Sequence, residues 1–176
     1  MIEDSFKCGL LLFAINLLFA ITKITPILLL TAIILPGLLF GILIVNQAGN
    51  VTSINKGLFI ISSGTLYIFT SWVATGARSY TLPYLIVFAT TIGAVLLFLI
   101  YKYLLNRSID IRKGLFLSIG TGIISSILPI VGIYHDSNIE GDWIKLACLF
   151  SVFPIWQPLF TWTIQKLKDG NASPLV

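Results

Sequence analysis

Residues 83–105 read PYLIVFATTIGAVLLFLIYKYLL, a run of 23 residues whose first charge is Lys102. As an α-helix it would be about 34 Å long at 1.5 Å per residue, enough for a hydrocarbon core of about 30 Å. Tyr101 and Tyr103 close the run, where amphipathic rings sit at a membrane–water interface. This segment reads as a membrane span, and similar apolar runs lie on both sides of it.

Toward the N-terminus, a short loop, 76–82, separates the run from a span over 57–75. The polar stretch NQAGNVTSINK, 46–56, precedes that. Residues 8–45 are too long for one span, at about 57 Å of helix. Pro26 divides them into spans over 8–22 and 27–45. Toward the C-terminus, the basic loop NRSIDIRK, 106–113, leads into a span over 114–134. The acidic loop HDSNIEGDWIK, 135–145, leads into a last span over 146–165. The expected fold is therefore all-α: an integral membrane protein with a compact bundle of six transmembrane helices, buildable as three antiparallel hairpins, in one domain covering 1–176. Short connections make successive helices antiparallel neighbours.

Composition agrees. Of 176 residues, 57% are hydrophobic and 10% are charged, with a mean hydropathy of +0.98. Soluble domains carry about a quarter charged residues, so lipid is the expected solvent for most of this surface. The net charge of +4 is spread along the chain and gives no basic module for nucleic acid. Lys7, Lys56, Lys102, Arg107, Arg112, Lys113, Lys166 and Lys168 fall on one side of the six-span arrangement. Lys23, Arg78 and Lys145 fall on the other. The positive-inside rule then places both termini in the cytoplasm, with the bacterial inner membrane as the default setting. Glu3 and Asp4 beside Lys7 make a poor signal-peptide n-region, so the first run is expected to be a retained span. Cys8 and Cys148 then lie near opposite faces, too far apart for a disulfide. Three glycosylation sequons, starting at Asn50, Asn106 and Asn171, lie on the cytoplasmic side and are expected to be chance matches.

Small residues set the expected helix contacts, because apolar burial gains little in lipid and close packing takes over. Gly114, Ser118, Gly122 and Ser126 recur every four residues, and Gly37 with Gly41 and Ala89 with Gly93 do the same on their own spans. Gly57, Gly64 and Ser71 are spaced by seven. These stripes are expected to face other helices. The tetrapeptides Lys56–Phe59 and Lys113–Phe116 are both KGLF, a short echo compatible either with duplication or with the ordinary make-up of a membrane boundary.

Chemistry is sparse. No Asp, Glu, Lys, Arg or His lies in the middle of any span, and no nucleophile–base set, metal signature or phosphate loop is present. The chain is expected to be non-enzymatic and to need no cofactor. His135, Asp136, Glu140 and Asp142 share the acidic loop, without ligand spacing for a metal. The candidate solute site is mid-membrane: Asn16, Pro36, Pro154, Trp156, Gln157 and Pro158. Proline frees the carbonyl four residues back, here those of Ala32, Phe150 and Pro154. Such carbonyls beside Asn16 and Gln157 amides resemble how broken helices hold solutes. The same residues could equally glue helices together.

Two functions follow as expectations. One is a small transporter, or a solute-binding membrane subunit, for an uncharged or weakly polar molecule. The other is an interaction protein, such as an immunity or exclusion factor or an accessory subunit. The lipid bilayer is the first expected partner. The loop 106–113 would dock another membrane or cytoplasmic protein, or anionic headgroups.

Overall fold

The structure is a computed structural model that describes residues 2–22, 34–79, 83–134, 147–148 and 150–171. Among these residues there are six major α-helices and no strand. They are α1 (Ile2–Ile21), α2 (Leu35–Asn46), α3 (Ser53–Ser79), α4 (Pro83–Leu104), α5 (Ile111–Tyr134) and α6 (Val152–Asn171). Two of them, α4 over Tyr84–Leu104 and α5 over Ile111–Gly132, are long and apolar enough to cross a membrane; α2 is apolar and shorter.

Local chemistry sets the helix ends. Helix α1 starts at Ile2, six residues before the apolar run. Glu3 and Asp4 occupy its first turn, and Glu3 pairs with Lys7 one turn on at 2.7 Å. Helix α3 starts after Thr52, whose hydroxyl accepts from the Asn55 N–H at 3.4 Å. Its helical backbone continues through 76–79, which the sequence reading leaves as loop. Helix α5 begins at Ile111 because Asp110 caps it. One Asp110 carboxylate oxygen accepts from the N–H groups of Arg112 (2.8 Å) and Lys113 (3.3 Å). These backbone donors, Lys113 first, hold the Asp110 carboxyl below its ordinary pKa.

Two expectations about proline require correction. Pro36 is not at the centre of a described helix: it occupies the first turn of α2, where an N–H would have no intrahelical acceptor. The carbonyl of Ala32 lies outside the described residues. The last helix is also not continuous over 146–165. Residues 147–148 and 150 are helical, Ser151 forms a turn, and α6 runs from Val152 to Asn171. Pro154 then sits in the first turn of α6. Pro158, inside the helix, withholds an N–H from the carbonyl of Pro154.

The helices form a ring in chain order. Each of α2 to α6 packs on the one before it in the sequence α2–α3–α4–α5–α6. The ring closes through α1, which packs extensively on α6 and less on α2. Named contacts fix four of these pairs as antiparallel. Ser5 meets Thr161 while Gly9 meets Phe153, and Gly37 meets Gly64 while Gly41 meets Ile60. Asn55 reaches Leu104 while Gly93 meets Thr70, and Gly114 meets Phe98 while Gly122 meets Thr91.

The small-residue stripes lie at these contacts. Gly114, Ser118, Gly122 and Ser126 are all buried. A Cβ on Gly122 would lie 2.3 Å from the Thr91 Cα, and one on Gly37 would lie 2.8 Å from the Gly64 Cα. Gly57, in contrast, has open space around it. The KGLF echo also separates here: Phe59 is fully buried and Phe116 is 77% exposed, so the two tetrapeptides occupy unlike environments.

Around an apolar and aromatic core, small polar side chains are buried and large apolar ones are exposed. Ser5, Asn16, Ser63, Ser118, Ser125, Gln157, Thr161 and Thr163 are fully buried. Trp72, Ile54, Ile61 and Phe116 are at least 65% exposed, and Ile119, Ile123, Ile127 and Val131 extend the exposed face of α5. An outward apolar belt of this extent marks a surface that contacts something other than water.

Candidate functional site

Aromatic residues fill the middle of the ring. Trp156 of α6 lies edge-on to Phe40 of α2 (ring centroids 5.5 Å apart) and to Tyr67 of α3 (5.4 Å), and stacks on Phe160 (5.2 Å). Tyr67 stacks in turn against Phe153 at 6.5 Å. Helical spacing explains the cluster. Phe153, Trp156 and Phe160 follow one another at i, i+3 and i+7, so they share one face of α6.

Beside this cluster a cavity of about 70 Å³ lies between α3, α4 and α6. Tyr67, Thr70 and Ser71 contribute from α3, Thr90 and Gly93 from α4, and Phe153 and Trp156 from α6. Among the described residues, no Asp, Glu, Lys, Arg or His lines it. Two of its hydroxyls are committed to backbone carbonyls. Thr70 donates to Leu66 at 2.9 Å, and the Thr90 hydroxyl is shared between the carbonyls of Ile86 in its own helix and Gly122 of α5, both at 2.9 Å.

Gln157 stands behind the cavity wall. Its side chain is fully buried, and its Nε2 donates to the Tyr67 hydroxyl over a long 3.4 Å. Its Oε1 has no hydrogen-bond partner among the described residues. Two further hydroxyl contacts tie α6 to its neighbours. Thr161 pairs with Ser5 of α1 at 2.7 Å and donates to the Gln157 carbonyl at 2.9 Å. Thr163 pairs with Thr121 of α5 at 3.1 Å.

The six residues singled out in the sequence divide into two groups. Trp156 and Gln157 join around Tyr67, and Pro154 and Pro158 shape the same end of α6. Gly9 allows α1 to close on Pro154: a Cβ there would lie 2.8 Å from the Pro154 Cα. Pro36 contributes indirectly, by starting the helix that brings Phe40, one turn on, to Trp156. Asn16 stands apart. The Ser5–Thr161 and Gly9–Phe153 contacts set Gln157 level with about residue 7 of α1, so Asn16 lies roughly 13 Å further along the axis. The Asn16 amide donates to the Leu12 carbonyl at 2.8 Å within its own helix.

No protein family, curated protein or solved structure matches this chain. The geometry therefore carries the functional reading.

Tyr67 is the central residue that sequence reasoning misses. A tyrosine at mid-span gives no signal of its own. Only the spacing of Tyr67, Thr70 and Ser71 along one side of α3, set against Thr90 and Gly93, could have suggested a hydroxyl-lined face. The acidic loop with His135, Asp136, Glu140 and Asp142 lies outside the described residues. Among the described residues no group of three or more His, Cys, Asp or Glu could hold a metal.

Proposed function

We propose that this chain is a non-enzymatic, six-span membrane protein, with both termini in the cytoplasm, that holds a small uncharged solute in the α3–α4–α6 cavity. Three features support the span count. The antiparallel contacts alternate the helices, many large apolar residues are exposed on the outer surface, and glycine and hydroxyl residues sit at the helix contacts. Orientation rests on charge. The Asn55–Leu104 contact and the bonds from Lys102 to the carbonyls of Arg107 and Ile109 bring Lys56, Lys102, Arg107, Arg112 and Lys113 to one end.

The observation that carries the solute reading is the cavity itself. It opens in a bundle whose α1–α6, α2–α3 and α4–α5 seams carry close glycine contacts, and its wall among the described residues is aromatic and hydroxyl-bearing without charge. An ion would lose its hydration there without a counter-charge, whereas an uncharged molecule would not. At about 70 Å³ the space is roughly half that of an apolar cavity that takes benzene, about 150 Å³. The solute is therefore a molecule of few heavy atoms. Purified protein in nanodiscs should bind small uncharged solutes saturably and leave small ions unbound. Uptake of the same solutes into proteoliposomes, above that of empty liposomes, would make the protein a transporter rather than a solute-binding subunit. Tight binding of a small ion, with none of an uncharged solute, would refute the reading.

A second reading, as an accessory or immunity-type interaction protein, is favoured by one observation. The loop 105–110 is held in a fixed shape by Lys102 and by the Asn106 side chain, which accepts from the Ser108 hydroxyl at 2.7 Å. This leaves Arg107, Arg112 and Lys113 exposed at its edges. Such a rigid basic corner suits an acidic cytoplasmic partner. Its signature would be a co-purifying protein lost on charge reversal of Arg107, Arg112 and Lys113.

A further inference from the structure

We propose that Tyr67 and Gln157 form a specificity-determining pair, one that selects solutes carrying both a hydrogen-bond donor and an acceptor, as a primary amide or an alcohol does. The inference rests on the cavity reading above and names the chemistry of its solute.

A buried amide in this position needs a reason. Gln157 is fully buried, where an apolar side chain of similar length would fill the same space without an unmatched polar atom. Its side-chain hydrogen bond to the Tyr67 hydroxyl is long at 3.4 Å, and Oε1 has no partner among the described residues. Leaving a buried acceptor unmatched is unfavourable. Rotating the amide by a half turn does not resolve the deficit. Oε1 would then accept from the Tyr67 O–H, and both amide protons would lack acceptors instead. In the arrangement observed, Nε2 donates to Tyr67, so the Tyr67 proton is available to an acceptor while Oε1 is available to a donor. The second Nε2 proton is a further donor, so the pair offers two donors and one acceptor.

The Tyr67 ring lines the cavity, and so does Trp156, the residue next to Gln157. The hydroxyls of Thr70 and Thr90 already donate to helix carbonyls. Ser71 is engaged as well, which leaves Tyr67 and its partner Gln157 as the polar pair beside the cavity among the described residues. Gln157 itself does not line the cavity, so selection requires a turn of the Tyr67 ring that lets a solute meet both groups. A solute able only to accept would satisfy Tyr67 and leave Oε1 unmatched. A molecule with both functions satisfies both.

Acetamide and acetone test this directly, because they have the same shape and heavy-atom count and differ in the N–H donors. Binding is read from the fluorescence of Trp156 in a background with Trp72, Trp143 and Trp162 changed to Phe. This background should prefer acetamide over acetone by about tenfold, the scale of one buried hydrogen bond. Gln157→Met in the same background should bring the ratio close to one, with acetone affinity retained as proof that the site is folded. Tyr67→Phe should weaken both solutes together, since both use the hydroxyl proton. Saturable binding of both solutes with the ratio unchanged in Gln157→Met would overturn the role of the pair and leave the cavity reading standing. No saturable binding of either solute before Gln157 is changed would overturn both.

Discussion

Changing Gly122 to Ala should destabilise the protein, while the same change two residues earlier, at Gly120, should stabilise it. At Gly122 the added Cβ would lie 2.3 Å from the Thr91 Cα and 2.7 Å from its backbone nitrogen, and backbone cannot step aside as a side-chain tip can. Restoring ordinary contact requires α4 and α5 to separate locally by roughly 1 Å, a cost of about 1–3 kcal/mol in packed interiors. The separation also stretches the 2.9 Å bond from Thr90 to the Gly122 carbonyl, worth about 0.6 kcal/mol on the scale measured between membrane helices. The helix propensity of alanine over glycine returns about 1 kcal/mol. The net loss is therefore about 1–3 kcal/mol. At Gly120 nothing lies within 4 Å of the new methyl, so only the propensity gain of about 1 kcal/mol remains. Reversible unfolding in mixed micelles at increasing SDS fraction, followed by circular dichroism, measures both variants. Equal effects of the two substitutions, or a Gly122→Ala variant as stable as wild type, would refute the packing argument for this seam.

Asn16→Ala should lower unfolding stability by about 1 kcal/mol or more through lost packing and hydrogen bonding, yet leave acetamide affinity unchanged, since Asn16 lies roughly 13 Å from Gln157 along the helix axis. A large loss of affinity in a stable variant would contradict that placement. Asp110 makes stability depend on acid pH. Its folded pKa is lowered by the backbone donors of Lys113 and Arg112, so its contribution is complete above the ordinary carboxylate range and is lost as pH falls through the lowered value. The wild-type stability curve should fall more steeply than that of Asp110→Asn between pH 5 and about pH 2. Parallel curves would remove Asp110 from the account. Topology is open to single cysteines in a Cys8→Ser, Cys148→Ser background. Asn50→Cys and Ser108→Cys should label only from the cytoplasmic side, and Thr81→Cys and Ser137→Cys only from outside. Labelling of all four from one side would rule out six spans.

The parts of this fold visible in the sequence are those set by short-range rules. Glycine every four residues leaves a groove whatever the partner, so the seams at Gly37 and Gly122 could be read before the partners Gly64 and Thr91 were known. The lack of mid-span charge equally needed no geometry. Helix ends were less legible. Asp110 caps α5 so that it starts at Ile111, three residues before the apolar run begins, and hydropathy does not register a cap. Pro36 reads as a break because its flanks are apolar, whereas its effect depends on which turn it occupies. The candidate site fails for a related reason. Asn16 and Gln157 each sit in an apolar run, but whether they meet depends on the register of α1 against α6, which Gly9 and Ser5 set. Phe59 and Phe116 carry identical local sequence and opposite burial, because the ring places a neighbour over one and none over the other.

The most direct test of the central claim is equilibrium binding of acetamide to the purified protein in nanodiscs, with and without Val152→Phe. Val152 borders the cavity, and the larger ring should fill it. The account predicts saturable binding to the wild type that is lost in Val152→Phe, with the unfolding midpoint of the variant no lower than that of the wild type. Binding that survives the filled cavity, or a wild type that binds nothing, would contradict it.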